Sequence, residues 1–326
     1  MSARRPLISL VTPCFDEVDN VAQCAGAVRA MFARDLPGYD REHIFCDNAS
    51  TDGTAALLRE LAASDRSIKV ILNARNFGLF ASMFNGLMQT SGDAVVALFP
   101  ADLQDPPEVV PKFVAKWREG YEVVRGVKEI REEGYLIRQA RRLYYRVVRR
   151  FADIDIPVDV SEFQLIDRKV VDALRGFDDH YPYLRGMIAV CGFRAADVGY
   201  TWVARRRGVT KHNLYHLVDQ GLNGLISFTK VPMRLCMLAG FLLSGLSIGY
   251  AIFSLFLNLI VFRKVLPPGI QTLIVAVFFF AGLQLFFFGV LGEYIGAIHA
   301  QVRRRPLVVE RSRINFDGPG VDHPQG

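Results

Sequence analysis

Ala94-Val-Val-Ala-Leu-Phe-Pro-Ala-Asp-Leu-Gln-Asp-Pro-Pro-Glu108 decides how this chain is read. Six apolar residues give way abruptly to acidic and amide side chains, then to two prolines. An uninterrupted apolar run of this length reads as a central strand of a parallel sheet, buried on both faces. Proline cannot donate to the ladder, so the chain must turn there. Asp102, Gln104 and Asp105 then lie past the carboxyl end of a strand, where open α/β sheets bind ligands. Oxygen ligands in such a place suit Mg²⁺ or Mn²⁺ carrying a diphosphate. The same residues equally fit a polar turn that caps the strand, with Asp105 as the N-cap of a helix entered through Pro106.

Outward from this strand the sequence alternates strand and helix. Strands are predicted at Leu7 to Val11, Glu42 to Cys46, Ile68 to Leu72, Ala94 to Phe99 and Glu122 to Gly126. Helices are predicted at Val18 to Ala33, Thr54 to Ala63, Phe80 to Gln89 and Val109 to Arg118. This βαβα rhythm implies a mainly parallel sheet with helices on both faces. Beyond it come a basic, tyrosine-containing stretch over 127–150, a stretch over 159–204 that reads as a strand, a helix at Lys169 to Leu174 and further short elements, and apolar residues at helical spacing from Lys211 to Arg234. With their His, Lys and Arg flanks, the last of these read either as helices in a membrane interface or as an ordinary surface helix.

Composition bounds the rest. Of 326 residues, 51% are hydrophobic, and they crowd toward the end of the chain. Leu235 to Phe262 and Ile270 to Gly292 contain no charged residue. Each exceeds the roughly 20 residues a helix needs to cross a bilayer. The N-terminus runs into its first strand without the apolar core of a signal peptide, so no cleavage is expected. The net charge of +6 gathers in clusters such as Arg205-Arg-Arg207 and Arg303-Arg-Arg305. Beside apolar spans these suit lipid headgroups or phosphate groups. No zinc-knuckle, RNP or helix-turn-helix pattern speaks for nucleic acid. Five cysteines without a paired spacing fit a reducing compartment.

Several short motifs now combine. They are Thr12-Pro-Cys-Phe-Asp-Glu17, Asp47-Asn-Ala-Ser-Thr-Asp-Gly-Thr54, Arg75-Asn-Phe-Gly78, Gly92-Asp93 and Ala101-Asp-Leu-Gln-Asp-Pro-Pro-Glu108. Phe163-Gln-Leu-Ile-Asp-Arg168, Arg185-Gly186, Arg205-Arg-Arg-Gly-Val-Thr-Lys211 and Gly289-Val-Leu-Gly-Glu-Tyr-Ile-Gly296 follow, with Arg305-Pro306 behind them. In this order and spacing the chain resembles family 2 glycosyltransferases of the GT-A fold, over about residues 7 to 314. Within that family it is similar to the polyprenyl-phosphate glycosyltransferases, the group that includes dolichol-phosphate mannose synthase and bactoprenol glucosyltransferase.

The resemblance implies an α/β, Rossmann-like GT-A catalytic domain over 1–210. Interfacial amphipathic helices at 211–234, a two-helix transmembrane domain at 235–298 and a basic cytoplasmic tail at 299–326 would follow. It implies a multi-pass protein of a bacterial inner membrane, with the catalytic domain and both termini cytoplasmic. The implied reaction is inverting transfer of a sugar from a nucleotide donor, UDP-hexose first, to a polyprenyl phosphate, for modification of a cell-envelope glycan. Membrane lipid, a homo-oligomer and a flippase are the partners implied.

Site residues follow from the motifs that match. Pro13, Glu17 and Asp47 would line the nucleoside pocket, with Asp47 accepting from a uracil N–H or, as the alternative, closing an Asx-turn. Arg75 would reach base or diphosphate with its planar fork, or make a structural ion pair. Asp102 and Gln104 would hold Mg²⁺ or Mn²⁺. The family's usual motif is Asp-x-Asp, and Pro100 stands at its first position, so one carboxylate is missing. Mg²⁺ is commonly held by one or two carboxylates together with substrate phosphates and water, which keeps metal binding the favoured reading. Lys128, Arg131, Arg138, Arg141, Arg205 and Lys211 would meet the acceptor phosphate or the diphosphate, since Arg–phosphate bonds suit that task. Glu162 and Asp102 are the catalytic candidates. Glu162 stands where relatives carry an acidic residue suggested as base. The second pKa of a phosphate monoester is about 6, so the acceptor is already ionised and needs a base less. Glu162 then serves either the acceptor or the sugar. The rival readings are a catalytically weakened membrane scaffold, which Pro100 leaves open, and a processive polysaccharide synthase, whose Gln-x-x-Arg-Trp motif is absent.

Overall fold

The computed structural model describes residues 4–128, 160–177, 182–202, 270–302 and 306–316, with isolated positions between 238 and 249. Eight strands form one sheet: β1 (Leu7–Cys14), β2 (Asp40–Asp47), β3 (Ile68–Asn73), β4 (Ala94–Val96), β5 (Val123–Lys128), β6 (Val160–Asp167), β7 (Ala195–Tyr200) and β8 (Glu310–Ile314). Their order is β7-β5-β6-β4-β1-β2-β3-β8. The helices are α1 (Val18–Asp35), α2 (Thr54–Ser64), α3 (Leu79–Met88), α4 (Val110–Arg118), α5 (Arg168–Leu174), α6 (Leu184–Cys191) and α7 (Ile270–Val302).

The centre of the sheet is parallel, as the apolar runs require. β1 lies between β2 and β4, parallel to both. Alternate strand residues feed two cores: Ile8, Leu10, Phe45, Val70 and Leu72 pack on one side, and Val11, Ile44, Cys46 and Ile71 on the other. With period-2 alternation and helices on both faces, most strand residues are apolar, and the buried exceptions in β1 and β2 are hydrogen-bonded, as Ser9 is to Glu42 and Thr12 to His43. Gly86 of α3 sits where a Cβ would collide with Cys46 Sγ, so α3 packs directly on the sheet. The described cysteines, Cys14, Cys24, Cys46 and Cys191, are free thiols.

Two features depart from a simple doubly wound sheet. β6 runs antiparallel between β4 and β5. It brings the start of one strand to the edge where β4 and β5 end. β8 adds antiparallel to the outer edge of β3. The sequence alone places these residues in the polar tail, since their charged pattern gives no apolar run; the open edge of β3 supplies the pairing. The strand predicted to continue through Phe99 is shorter. Regular pairing stops at Val96, although Ala97 N–H still donates to Gln164 O at 2.9 Å and Phe99 N–H to Val11 O at 2.8 Å.

The chain forms two compact units, one holding the sheet and the other holding α7. Leu273, Val277, Leu285 and Phe288 of α7 are exposed. Among the described residues no helix meets the length and hydropathy of a membrane span. The two predicted transmembrane helices are therefore not shown. Ile270 to Gly292 falls on α7, part of whose side chains lie outside the described set, and Leu235 to Phe262 lies almost wholly outside it, as do the interfacial helices at 211–234.

Candidate active site

The parallel register sets the first half of the site. Pro13 stands level with Cys46, and Cys14 with Asp47. Pro13 has no N–H to give, and it falls beyond Leu10, the last β1 residue in register with β4, so the ladder loses little. The loops leaving β1 and β2 are then stitched together. Asp16, at φ +53°, donates its N–H to Ser50 Oγ at 2.9 Å. Thr51 N–H returns a bond to Asp16 Oδ1 at 2.9 Å, Glu17 N–H donates to Thr54 Oγ1 at 2.9 Å, and Val18 N–H to Asp52 Oδ2 at 3.1 Å. Pro13, Glu17 and Asp47 thus share one rigid rim.

Asp47 is 2% exposed, and its carboxylate accepts from both the N–H and the hydroxyl of Ser50. It closes the local turn. Each carboxylate oxygen has a second lone pair, so the turn and a base contact are compatible. Burial raises its pKa above the ordinary value, and the Ser50 bonds oppose that.

Asn48 and Asn73 are site framework that motif reading passed over. Asn73 Nδ2 donates to Asn48 Oδ1 at 2.8 Å and to Ser82 Oγ at 3.1 Å, and Asn48 Nδ2 donates to Gly78 O at 3.2 Å. Together they fix the loop that carries Arg75. Gly78, at φ +89°, makes the turn into α3. Arg75 is exposed, lies 4.0 Å from the centre of the Phe77 ring and donates to Asn76 O at 3.0 Å.

The loop after β4 supplies the second half. Gln104 N–H donates to Asp102 Oδ1 at 3.2 Å, with Leu103 between them at φ +56°. Asp105 does not cap a helix. Pro106 is the cap residue of a short 3₁₀ turn, Pro107–Val109, that leads into α4. Asp105 instead turns inward, 6% exposed, and accepts from the Tyr200 hydroxyl at 2.6 Å. Lys128 Nζ stands 3.6 Å from the same oxygen and 5.2 Å from the centre of the Trp202 ring. The ends of β5 and β7 therefore hold the acidic loop, and Lys128 belongs to that loop's support.

Glu162 lies near the start of β6, buried, with Arg185 Nε donating to its Oε1 at 2.7 Å. Burial pushes its carboxyl above the ordinary range, and the Arg185 charge works against this. Arg131, Arg138, Arg141, Arg205 and Lys211 lie outside the described residues.

Among the described residues no group of three His, Cys, Asp or Glu side chains could enclose a metal ion. One carboxylate at a strand end, Asp102, fits Mg²⁺ or Mn²⁺ only where diphosphate oxygens and water complete the shell, which is how Mg²⁺ is commonly held.

Comparison with known proteins bears on this arrangement. Residues 9–175 match the family described as Glycosyl transferase family 2, and residues 231–298 match the GtrB C-terminal hairpin. An uncharacterized glycosyltransferase of Bacillus subtilis strain 168, YkcC, is 34% identical over 306 residues, covering 93% of each chain. The SfII prophage-derived bactoprenol glucosyl transferase of Shigella flexneri is 32% identical over 303 residues, covering 93% of this chain and 96% of its own. A solved structure, glucosyl-3-phosphoglycerate synthase from Mycobacterium tuberculosis with Mn²⁺, UDP and phosphoglyceric acid, is 22% identical with a TM-score of 0.49, over 68% of this chain and 76% of that one.

Proposed function

The chain belongs to glycosyltransferase family 2, and from that premise we propose that it transfers a hexose from UDP to a polyprenyl phosphate, with inversion at the anomeric carbon. One observation carries the reading. The β1–β2 rim of Pro13, Glu17 and Asp47 and the β4 loop of Asp102 share one end of a parallel sheet, the place for a nucleoside diphosphate. The acceptor follows from relatives named bactoprenol glucosyl transferase, which match this chain through both its catalytic part and its C-terminal hairpin.

In the reaction a phosphate oxygen of the acceptor attacks the anomeric carbon. The bond from that carbon to the UDP oxygen breaks, and UDP leaves with the electron pair. Asp47 and Glu17 hold the nucleoside, and Arg75 reaches toward base or diphosphate. Asp102, with Gln104 beside it, would hold Mg²⁺ or Mn²⁺, which supplies positive charge to the departing diphosphate. Arg131, Arg138, Arg141, Arg205 and Lys211 bring cations to the phosphates, and Lys128 shares its charge with Asp105 at the entrance of the same segment. No strong base is needed for an ionised nucleophile.

The apolar stretches at 235–262 and 270–292 and the exposed apolar face of α7 support a membrane seat for the acceptor's lipid. Arg303 to Arg305 after the second stretch, against Arg263 and Lys264 between the two, support cytoplasmic termini by the positive-inside rule. A panel of UDP- and GDP-sugars, offered to purified protein with polyprenyl phosphate, tests the proposal. Formation of polyprenyl-phosphate sugar from a UDP-hexose is expected. No product from any donor, in the presence of Mg²⁺ or Mn²⁺, would favour the scaffold reading that Pro100 leaves open.

A further inference from the structure

We propose that Arg185 is a positioning residue that holds Glu162 by one carboxylate oxygen, so that the other, Oε2, accepts a hydrogen bond from a hydroxyl of the transferred sugar. This rests on the glycosyl-transfer reading above and deepens it, by naming what recognises the sugar.

The placement follows from the sheet. β6 runs against β4, with Val96 level with Leu165 and Ala97 N–H bonded to Gln164 O. Glu162 lies two residues before Gln164, so it stands at the end of the sheet from which the chain leaves β4 for the Pro100–Asp105 loop. Phe163 packs on Phe99, Phe113 and Tyr200 in one core, so by strand alternation Glu162 faces the other side, where α6 presents Arg185.

Arg185 is held by more than its charge partner. Its Nε donates to Glu162 Oε1 at 2.7 Å, its Nη1 donates to Val160 O at 2.7 Å, and the guanidinium lies 5.3 Å from the centre of the Tyr183 ring. This fixes the carboxylate from one side. Glu162 Oε2, on a side chain 91% buried, has no hydrogen-bond partner among the described residues. Buried carboxylate oxygens are rarely left so, and each exception asks for an explanation, of which a bound ligand is one.

Charge decides which partner. The acceptor phosphate carries close to two negative charges at neutral pH and would repel an ionised carboxylate. Its task is to attack, and it has no proton that must be removed. A sugar hydroxyl is neutral and has a proton to donate, which matches an acceptor-only oxygen. A site built to bond a hydroxyl also rejects the analogue lacking it, because the buried oxygen is then left unpaired.

Arg185 is also the one described charged group that acts on Glu162. Burial favours the protonated acid and Arg185 favours the carboxylate. Hydroxyl binding needs the carboxylate, so activity falls as pH drops through the Glu162 pKa. Without Arg185 that pKa rises, and the acid limb moves to higher pH.

The test uses the full-length enzyme with polyprenyl phosphate and the UDP-hexose it turns over fastest, together with the deoxy analogues of that donor at each ring position. Wild type is expected to penalise one analogue at least tenfold in kcat/KM. Glu162→Gln should lower kcat with the natural donor and shrink that penalty to about twofold or less, with UDP affinity unchanged. Arg185→Gln should shift the acid limb of kcat upward by at least half a pH unit, and Arg185→Lys should restore most of the limb. If Arg185→Gln does not fold, Glu162→Gln with the deoxy donors decides alone. Equal deoxy penalties in wild type and Glu162→Gln, an unshifted acid limb in a folded Arg185→Gln, or a change confined to acceptor KM would overturn the assignment. Those results with an active wild type leave the transferase reading standing, whereas a wild type inactive on every donor removes the premise.

Discussion

Tyr200→Phe tests how the acidic loop after β4 is held. The Tyr200 hydroxyl donates to Asp105 Oδ1 at 2.6 Å, and both side chains are buried. Lys128 Nζ is farther away, at 3.6 Å from the same oxygen. Removing the hydroxyl leaves a buried carboxylate with a longer ion pair in place of a short hydrogen bond. Bonds to charged groups are worth about 1.5–3 kcal/mol, and the remaining lysine keeps the loss near the middle, at about 2 kcal/mol. At ~1.4 kcal/mol per tenfold, this is roughly 30-fold in the folding equilibrium. Urea titration of the full-length protein, followed by tryptophan fluorescence, reads it directly, since Trp202 lies beside Lys128. The Mn²⁺ concentration for half-maximal transfer should rise in the same variant, because Asp102 rides on the loop that Asp105 anchors. Against an Asp105→Asn background the partner is neutral, and Tyr200→Phe should cost only about 1 kcal/mol. An equal cost in both backgrounds, or an unchanged Mn²⁺ requirement, would refute the claim that this bond holds the loop.

Asp102→Asn should abolish most transfer, while Pro100→Asp should lower the Mn²⁺ needed in a chelator-buffered series; full activity in excess chelator with Asp102→Asn unaffected would end the metal reading. Arg131→Ala and Arg138→Ala should each raise acceptor KM by an amount equivalent to about 1.5–3 kcal/mol and leave UDP titration nearly unchanged. If UDP affinity collapses and acceptor KM holds, these arginines serve the donor. In intact cells a cysteine placed at Pro268 should react with an impermeant thiol reagent and one placed at Gly320 should not, and the reverse pattern would invert the topology.

Much of the catalytic half is legible in the sequence, because its signals are local. Apolar runs mark β1 to β4, and helical spacing marks α1 to α5 to within two residues of their observed ends. The abrupt change at Pro100 places Asp102 at a strand end before any coordinates are known. Local patterning does not say which distant segments meet. Nothing in Val160–Asp167 tells that it enters the sheet between β4 and β5 in the opposite sense, yet that insertion sets Glu162 at the end of the sheet from which the β4 loop leaves. Glu310–Ile314, with three charged residues in five, reads like a solvated tail, and becomes a strand only because β3 leaves an edge to pair with. Asp105 reads as a helix cap from its neighbours, and is claimed instead by Tyr200, 95 positions away. Periodicity records which face of an element is buried. The partner of a buried polar group is chosen by chain crossings that bring residues far apart in sequence within hydrogen-bond reach, and only the closed sheet decides those.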